Sequence, residues 1–302
     1  MTSVSQFALT TRRQLYGTEL AKINVLNGAI VTASTAVIVS TAPTSYPGGF
    51  GAGSRLEIED ELVYVRSISG STATSIRAVD NTTAASHADG TQVHANPRWP
   101  LIDIYDAMKD EIRSWMPHLF AAASIEFTVT AGNMRRAWDW TPTDDLFLLG
   151  ATVYPTTSSG SNYLGRELRA IEVRRGLDTA SFASGASFNL TDPILDESGT
   201  VTVSYAKQFA LGTFTGSTDL ETTVGIPAST LDVLRAGVKW RMLADQEASR
   251  SNVQAQGESR VGREVEVGSA VGQAEAWRRV RDRRLAEEIT SLRTRYPYRV
   301  GY

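Results

Sequence analysis

The sequence contains no cysteine. Disulfides, thiolate metal sites and cysteine nucleophiles are therefore excluded, and the fold is held by packing or by assembly. Lysine is nearly absent as well, with only Lys22, Lys109, Lys207 and Lys239 against 26 arginines. A GC-rich genome produces the same bias, so arginine abundance alone does not point to nucleic acid. There is no Gly-Lys dipeptide for a phosphate loop, no G-x-S-x-G elbow and no H-E-x-x-H. GGFGAGS lacks the last glycine of a dinucleotide fingerprint and opens onto a strand pattern. No run approaches the ~20 apolar residues of a membrane span, and MTSVSQFALTTRRQ has no leader-like apolar block. The expectation is a soluble cytoplasmic product that makes no use of a membrane and carries no cofactor.

What is present is enough apolar material for one large core or several smaller ones: 42% of 302 residues. The net charge of −3 is unevenly spread. From Trp277 to Tyr302 there are eight arginines against three acids, a local +5, so the preceding residues carry −8.

Periodicity divides the chain into segments. Residues 1–28 read as an N-terminal helical arm, with Leu15, Leu20 and Ile23 as the apolar positions of a helix over Thr10 to Leu26. Residues 29–97 alternate apolar and polar positions around Pro/Gly turns, which predicts a small all-β unit. Residues 98–120 hold an amphipathic helix with Leu101, Ile104, Met108, Ile112 and Trp115 on one face, and Asp103, Asp106, Lys109, Asp110 and Arg113 on the other. Six or seven short strands without intervening helices occupy residues 121–226 and predict a β-sandwich. A helix over 227–252 is capped by Ser229, a polar linker spans 253–268, and an Arg-rich helix with an aromatic tail fills 269–302. The fold class expected is α+β: a small N-terminal all-β unit, amphipathic helices, an inserted β-sandwich and a C-terminal helical extension.

The chemical candidates are few. His87 and His94, with Asp80 and Asp89 nearby, have the residue types of a metal site, but Ala-Asp-Gly-Thr is ordinary turn chemistry and the turn reading is preferred. Asp192, Asp196 and Glu197 lack the spacing of a calcium loop. Trp138 and Trp140, with Tyr154 and Tyr163, have the makings of a sugar-stacking platform. Alternate strand positions favour a core role for the two tryptophans instead.

In the final helix Leu285, Ile289, Leu292 and Tyr296 form an apolar seam, and Trp277 and Val280 lie about one position off its register. Acids interleave with the arginines, which argues against phosphate tracking and for protein docking.

From Leu56 to Pro100 the chain resembles a segment of the neck proteins of tailed bacteriophages, most specifically in TTAASHADGTQV and NPRWP. In that pattern a strand leads into R-G-x-x-G-T-T-A-A-x-H-x-x-G-T-x-V, then N-P-R-[FW]-P, then an amphipathic helix. Ala78 and Asn81 stand where the pattern has glycines. The later order of segments is similar to the head-to-tail connectors of actinobacterial siphophages. The resemblance implies a structural, non-enzymatic virion protein of the neck, made in the host cytoplasm. It would form a ring, of twelve copies, that docks on the portal protein and meets a stopper or tail terminator below. Double-stranded DNA would pass through the lumen without sequence-specific binding. The implied portal-docking set is Trp277, Arg278, Arg281, Arg284, Leu285, Ile289, Leu292, Tyr296, Tyr298 and Tyr302. The alternatives are a carbohydrate-binding minor tail or receptor-binding protein and, less favoured, a phage glycan hydrolase.

Overall fold

The structure, a computed structural model, describes residues 2–16, 23–40, 49–129, 137–155, 166–168, 171–190, 199–212, 214–255 and 269–296. The fold is α+β, with four α-helices and three sheets among the described residues. It divides into two units, one of residues 1–111, 211–224 and 231–282, the other of residues 112–210, 225–230 and 283–302.

The first unit is built on a six-stranded sheet of β1 (Ile23–Val25), β2 (Ala36–Ile38), β3 (Arg55–Ile58), β4 (Glu61–Ser69), β5 (Thr72–Ile76) and β6 (Gln92–Ala95). Its order is β1-β6-β3-β4-β5-β2, and every pairing is antiparallel. The sheet curls until its edges meet, since Asn27 donates its amide to the Ile38 carbonyl (2.9 Å) and Ser40 donates to that of Val25 (2.8 Å). Closure leaves no open edge and turns one face of each strand inward. Leu26, Val37, Leu56, Ile58, Val63, Val65 and Val93 fill the interior.

Helix α1 runs from Val4 to Tyr16, further upstream than the apolar spacing of Leu15, Leu20 and Ile23 predicts. The hydroxyl of Ser3 accepts the Gln6 amide at its start, and Val4, Phe7, Ala8 and Thr11 form the buried face. Ile23 belongs to β1, a strand of three residues and thus too short to show alternation.

Helix α2 (Leu101–Trp115) buries Leu101, Ile104, Met108, Ile112 and Trp115, as its spacing predicts. Helix α3 (Leu231–Ala255) begins one turn after Pro227 and buries Val233, Leu234, Ala236, Val238, Met242 and Leu243, a wider face than a single stripe.

In the second unit β7 (Ala121–Val129), β9 (Asp145–Pro155), β10 (Arg166–Leu168) and β13 (Gly199–Lys207) form one sheet, of order β10-β9-β13-β7. Strands β8 (Ala137–Asp139), β11 (Ile171–Arg175) and β12 (Ala186–Leu190) form another, of order β11-β12-β8. Both sheets contribute to one core of Phe127, Trp140, Val153, Phe188, Val201 and Val203. The rings of Phe127 and Phe188 stack across it at 5.4 Å. The last helix, α4, spans Ser269–Arg295.

Candidate functional site

Charged side chains are held away from water at the turn that carries His87, at the Arg12–Glu57 pair and at the seat of α4.

Glu61, at the start of β4, is buried, and its carboxylate collects donors from the segment 77–87. Arg77 donates Nε to Oε1 and a terminal nitrogen to Oε2, both at 2.6 Å. The amides of Ala78 (3.1 Å) and Ala85 (3.0 Å) supply two more bonds. His87 completes the set, with Nε2 2.9 Å from Oε2 of Glu61 and Nδ1 2.7 Å from Oε2 of Glu59. Burial opposes the charge of Glu61, but these donors outweigh it and hold the carboxyl at about 2. A metal ligand needs a free ring nitrogen, and both nitrogens of His87 already face carboxylates. No cluster of three or more His, Asp or Glu suited to a metal ion occurs among the described residues.

His94 does not join His87. It lies on β6, where Arg12 of α1 approaches its Nε2 at 3.3 Å, and burial together with that cation lowers it to about 4. Arg12 is itself ion-paired with the buried Glu57, whose other oxygen accepts the Leu101 amide (2.7 Å) at the first turn of α2. The two histidines thus belong to separate structural networks.

Ala78 and Asn81 adopt left-handed backbone angles, φ 55° and 62°. These are the positions at which the phage-neck pattern carries glycine. Asparagine tolerates that region better than alanine does, so Ala78 stores the greater strain.

The seat of α4 is centred on Glu111, a fully buried acid on the apolar side of α2. Arg281 donates its Nε to Oε1 (2.6 Å), and Arg241 of α3 donates its Nε to Oε2 (3.0 Å). Space for the carboxylate comes from Gly237 on α3, where a Cβ would stand 2.2 Å from the Glu111 Cδ. Nearby, the Lys239 ammonium lies 3.9 Å from the centre of the Trp277 ring. Ala274 is buried as well, so the first half of α4 is fastened to its own chain.

The second half has its own contacts. Ser229, within the 3₁₀ turn Ala228–Thr230, donates its hydroxyl to Glu288 (2.9 Å) rather than serving as the expected cap of α3. The Tyr296 ring meets Phe120 at 6.3 Å, and Leu292 lines a small cavity of about 60 Å³ with Leu119, Phe120 and Phe209.

Of the docking residues expected from sequence, Arg281 and Trp277 are therefore occupied inside the chain, and Leu285, Ile289, Leu292 and Tyr296 are half-buried. Arg278 and Arg284 are more open, and their pairs include the local ones with Glu275 and Glu287. Tyr298 and Tyr302 lie outside the described residues.

Trp140 is buried and Trp138 half-buried in the core that the two sheets of the second unit share, which leaves no paired tryptophan platform among the described residues. Tyr163 and the acids Asp192, Asp196 and Glu197 also lie outside the described residues. No helix among the described residues is long and apolar enough to cross a membrane.

Sequence reasoning missed Glu111. The signal was available: position 111 falls three after Met108 and four before Trp115, inside the buried stripe, and an acid there requires a cationic partner. No protein-family model matches the chain, and no curated protein matches it.

Proposed function

We propose that the chain is a head-to-tail connector of a tailed bacteriophage: a non-enzymatic virion protein that forms a ring, docks on the portal and joins capsid to tail around the DNA channel. The observation that carries this reading is the folding of its most specific stretch. TTAASHADGTQV, the piece most similar to phage neck proteins, forms the turn that satisfies Glu61, and the two departures from the motif fall at left-handed backbone positions. The motif therefore works as scaffold, as it would in a neck protein.

The portal contact is assigned to the open arginines Arg278 and Arg284 and to the aromatic residues from Tyr296 onward. Exposed pairs such as Arg278–Glu275 and Arg284–Glu287 contribute little to folding, so breaking these two pairs costs little. Arg281 is a poor choice for testing the contact, because its reversal would set a second carboxylate against Glu111.

The experiment is electron microscopy of the purified protein mixed with portal-bearing heads. A ring stacked on the portal is expected, with occupancy reduced by about tenfold or more in the Arg278→Glu/Arg284→Glu variant. Heads that remain bare with the wild-type protein would refute the proposal. Turnover of host cell-wall polysaccharide by the purified chain would support the glycan hydrolase instead.

A further inference from the structure

Lys239, on α3, is an ammonium without an anion. The residue is 5% exposed, and among the described residues no carboxylate, carbonyl or hydroxyl accepts a bond from its Nζ. Its contact is the Trp277 ring of α4, whose centre lies 3.9 Å from Nζ. A ring face attracts a cation but gives its three N–H groups no ordinary acceptor. Burial and the neighbouring Arg235 depress the pKa of Lys239, and no acid opposes them. A buried charge is as a rule paired, and this one is not.

Arg235 stands one helical turn before Lys239 and repeats the arrangement. Its guanidinium lies over the Phe7 ring of α1 at 5.2 Å, and its Nε is buried with no hydrogen-bond acceptor. One terminal nitrogen reaches Asp232 at 3.4 Å, but that carboxylate is 67% exposed and the pair is weak. Asp232 is the acid paired with either cation among the described residues. Phe7, Arg235, Lys239 and Trp277 all belong to the first unit.

We propose that Arg235 and Lys239 bind one compact oxyanion, a phosphate or a carboxylate, where α1, α3 and α4 meet. Lys239 supplies three N–H donors, and the Nε edge of Arg235 is a fork that suits two oxygens. The weak tie to Asp232 lets Arg235 turn that edge toward the ion. A bound anion also removes the repulsion between the two cations. With so little of Lys239 exposed, the site admits a small ion or a single protruding carboxylate, whereas the broad backbone of a nucleic-acid duplex stays outside. It needs neither ring nor portal, so it stands or falls apart from the connector reading.

Calorimetric titration of the purified full-length protein with sodium phosphate and, separately, sodium acetate, at fixed ionic strength, tests the site. Saturable binding of one ion per chain is expected. Preference for phosphate identifies the ligand as a free ion, and preference for acetate identifies it as a carboxylate side chain. Lys239→Met and, separately, Arg235→Gln should each weaken binding by about tenfold or more, since each removes charge-assisted bonds. Arg279→Gln, at an exposed position of α4, should bind as the wild type does. Circular dichroism and melting temperature check that the variants fold. Should Lys239→Met fail to fold, Arg235→Gln decides, because that side chain is 30% exposed. Absence of saturable binding with both anions, undiminished affinity in a folded Lys239→Met or Arg235→Gln, or an equal loss in Arg279→Gln would overturn the proposal.

Discussion

The Nε of Arg281 donates to Oε1 of Glu111 across 2.6 Å, and the carboxylate it meets is fully buried. Burial disfavours the guanidinium's charge, but Glu111 and Asp282 outweigh it and hold Arg281 above its ordinary range. The charges of α4 are thus divided between interior and surface.

Removing the buried acid leaves two arginines facing a dry pocket. Glu111→Gln is expected to destabilise the first unit by about 3 kcal/mol, toward the lower end of values for broken buried pairs because Arg241 retains partial access to water. Urea unfolding measures the loss, and a change below about 1 kcal/mol would show that water already serves the pair.

Ala78 predicts the opposite sign. Its φ of 55° is strained for a side chain with a Cβ and natural for glycine, while its amide bond to Glu61 does not depend on the side chain. Ala78→Gly should stabilise by about 1 kcal/mol, the strain relief being partly offset by the greater entropy of glycine in the unfolded chain. A lower thermal midpoint would contradict this account.

Two groups give the stability a stepped dependence on acid. His94 falls from 6.5 to about 4 on folding, so the unfolded chain binds a proton between those values that the folded chain refuses. Its contribution is complete above about 6.5 and lost as the pH falls toward 4. Glu61 falls from 4.5 to about 2, and its contribution is lost over that lower window. Glu57 is raised by burial, so its contribution has the reverse sign, being present in acid and lost as the pH rises through its folded value. Unfolding midpoints measured against pH should show the upper step in the wild type but not in His94→Gln, with the lower step kept in both.

Lys239 is 5% exposed, burial and Arg235 depress its pKa, and its one described partner is the Trp277 ring. An apolar residue of similar length avoids the desolvation cost and keeps contact with the indole. Lys239→Met should be neutral or stabilising within about 1 kcal/mol in urea unfolding. A loss above about 2 kcal/mol would mean that the cation outweighs the cost of burying it.

Much of this architecture can be read from residue order, and the exceptions share a cause. Ile104, Met108, Ile112 and Trp115 reveal α2 because a long helix repeats its signal. β1 has three residues and repeats nothing. The turn around His87 was legible from Ala-Asp-Gly-Thr, but Glu59 and Glu61 precede it by 28 and 26 residues, and only chain folding places them against the ring. The seam of α4 announces that Leu292 and Tyr296 seek cover, and periodicity cannot say that Phe120 provides some of it.

The ring of donors around Glu61 makes the length of its turn a fixed quantity. Although residues 77–91 contain no regular strand, the spacing from Arg77 to His87 matches the reach of one carboxylate. A residue added between Ala78 and Ala85 should draw the Ala85 amide and His87 away from the buried carboxylate, so labels belong on another loop.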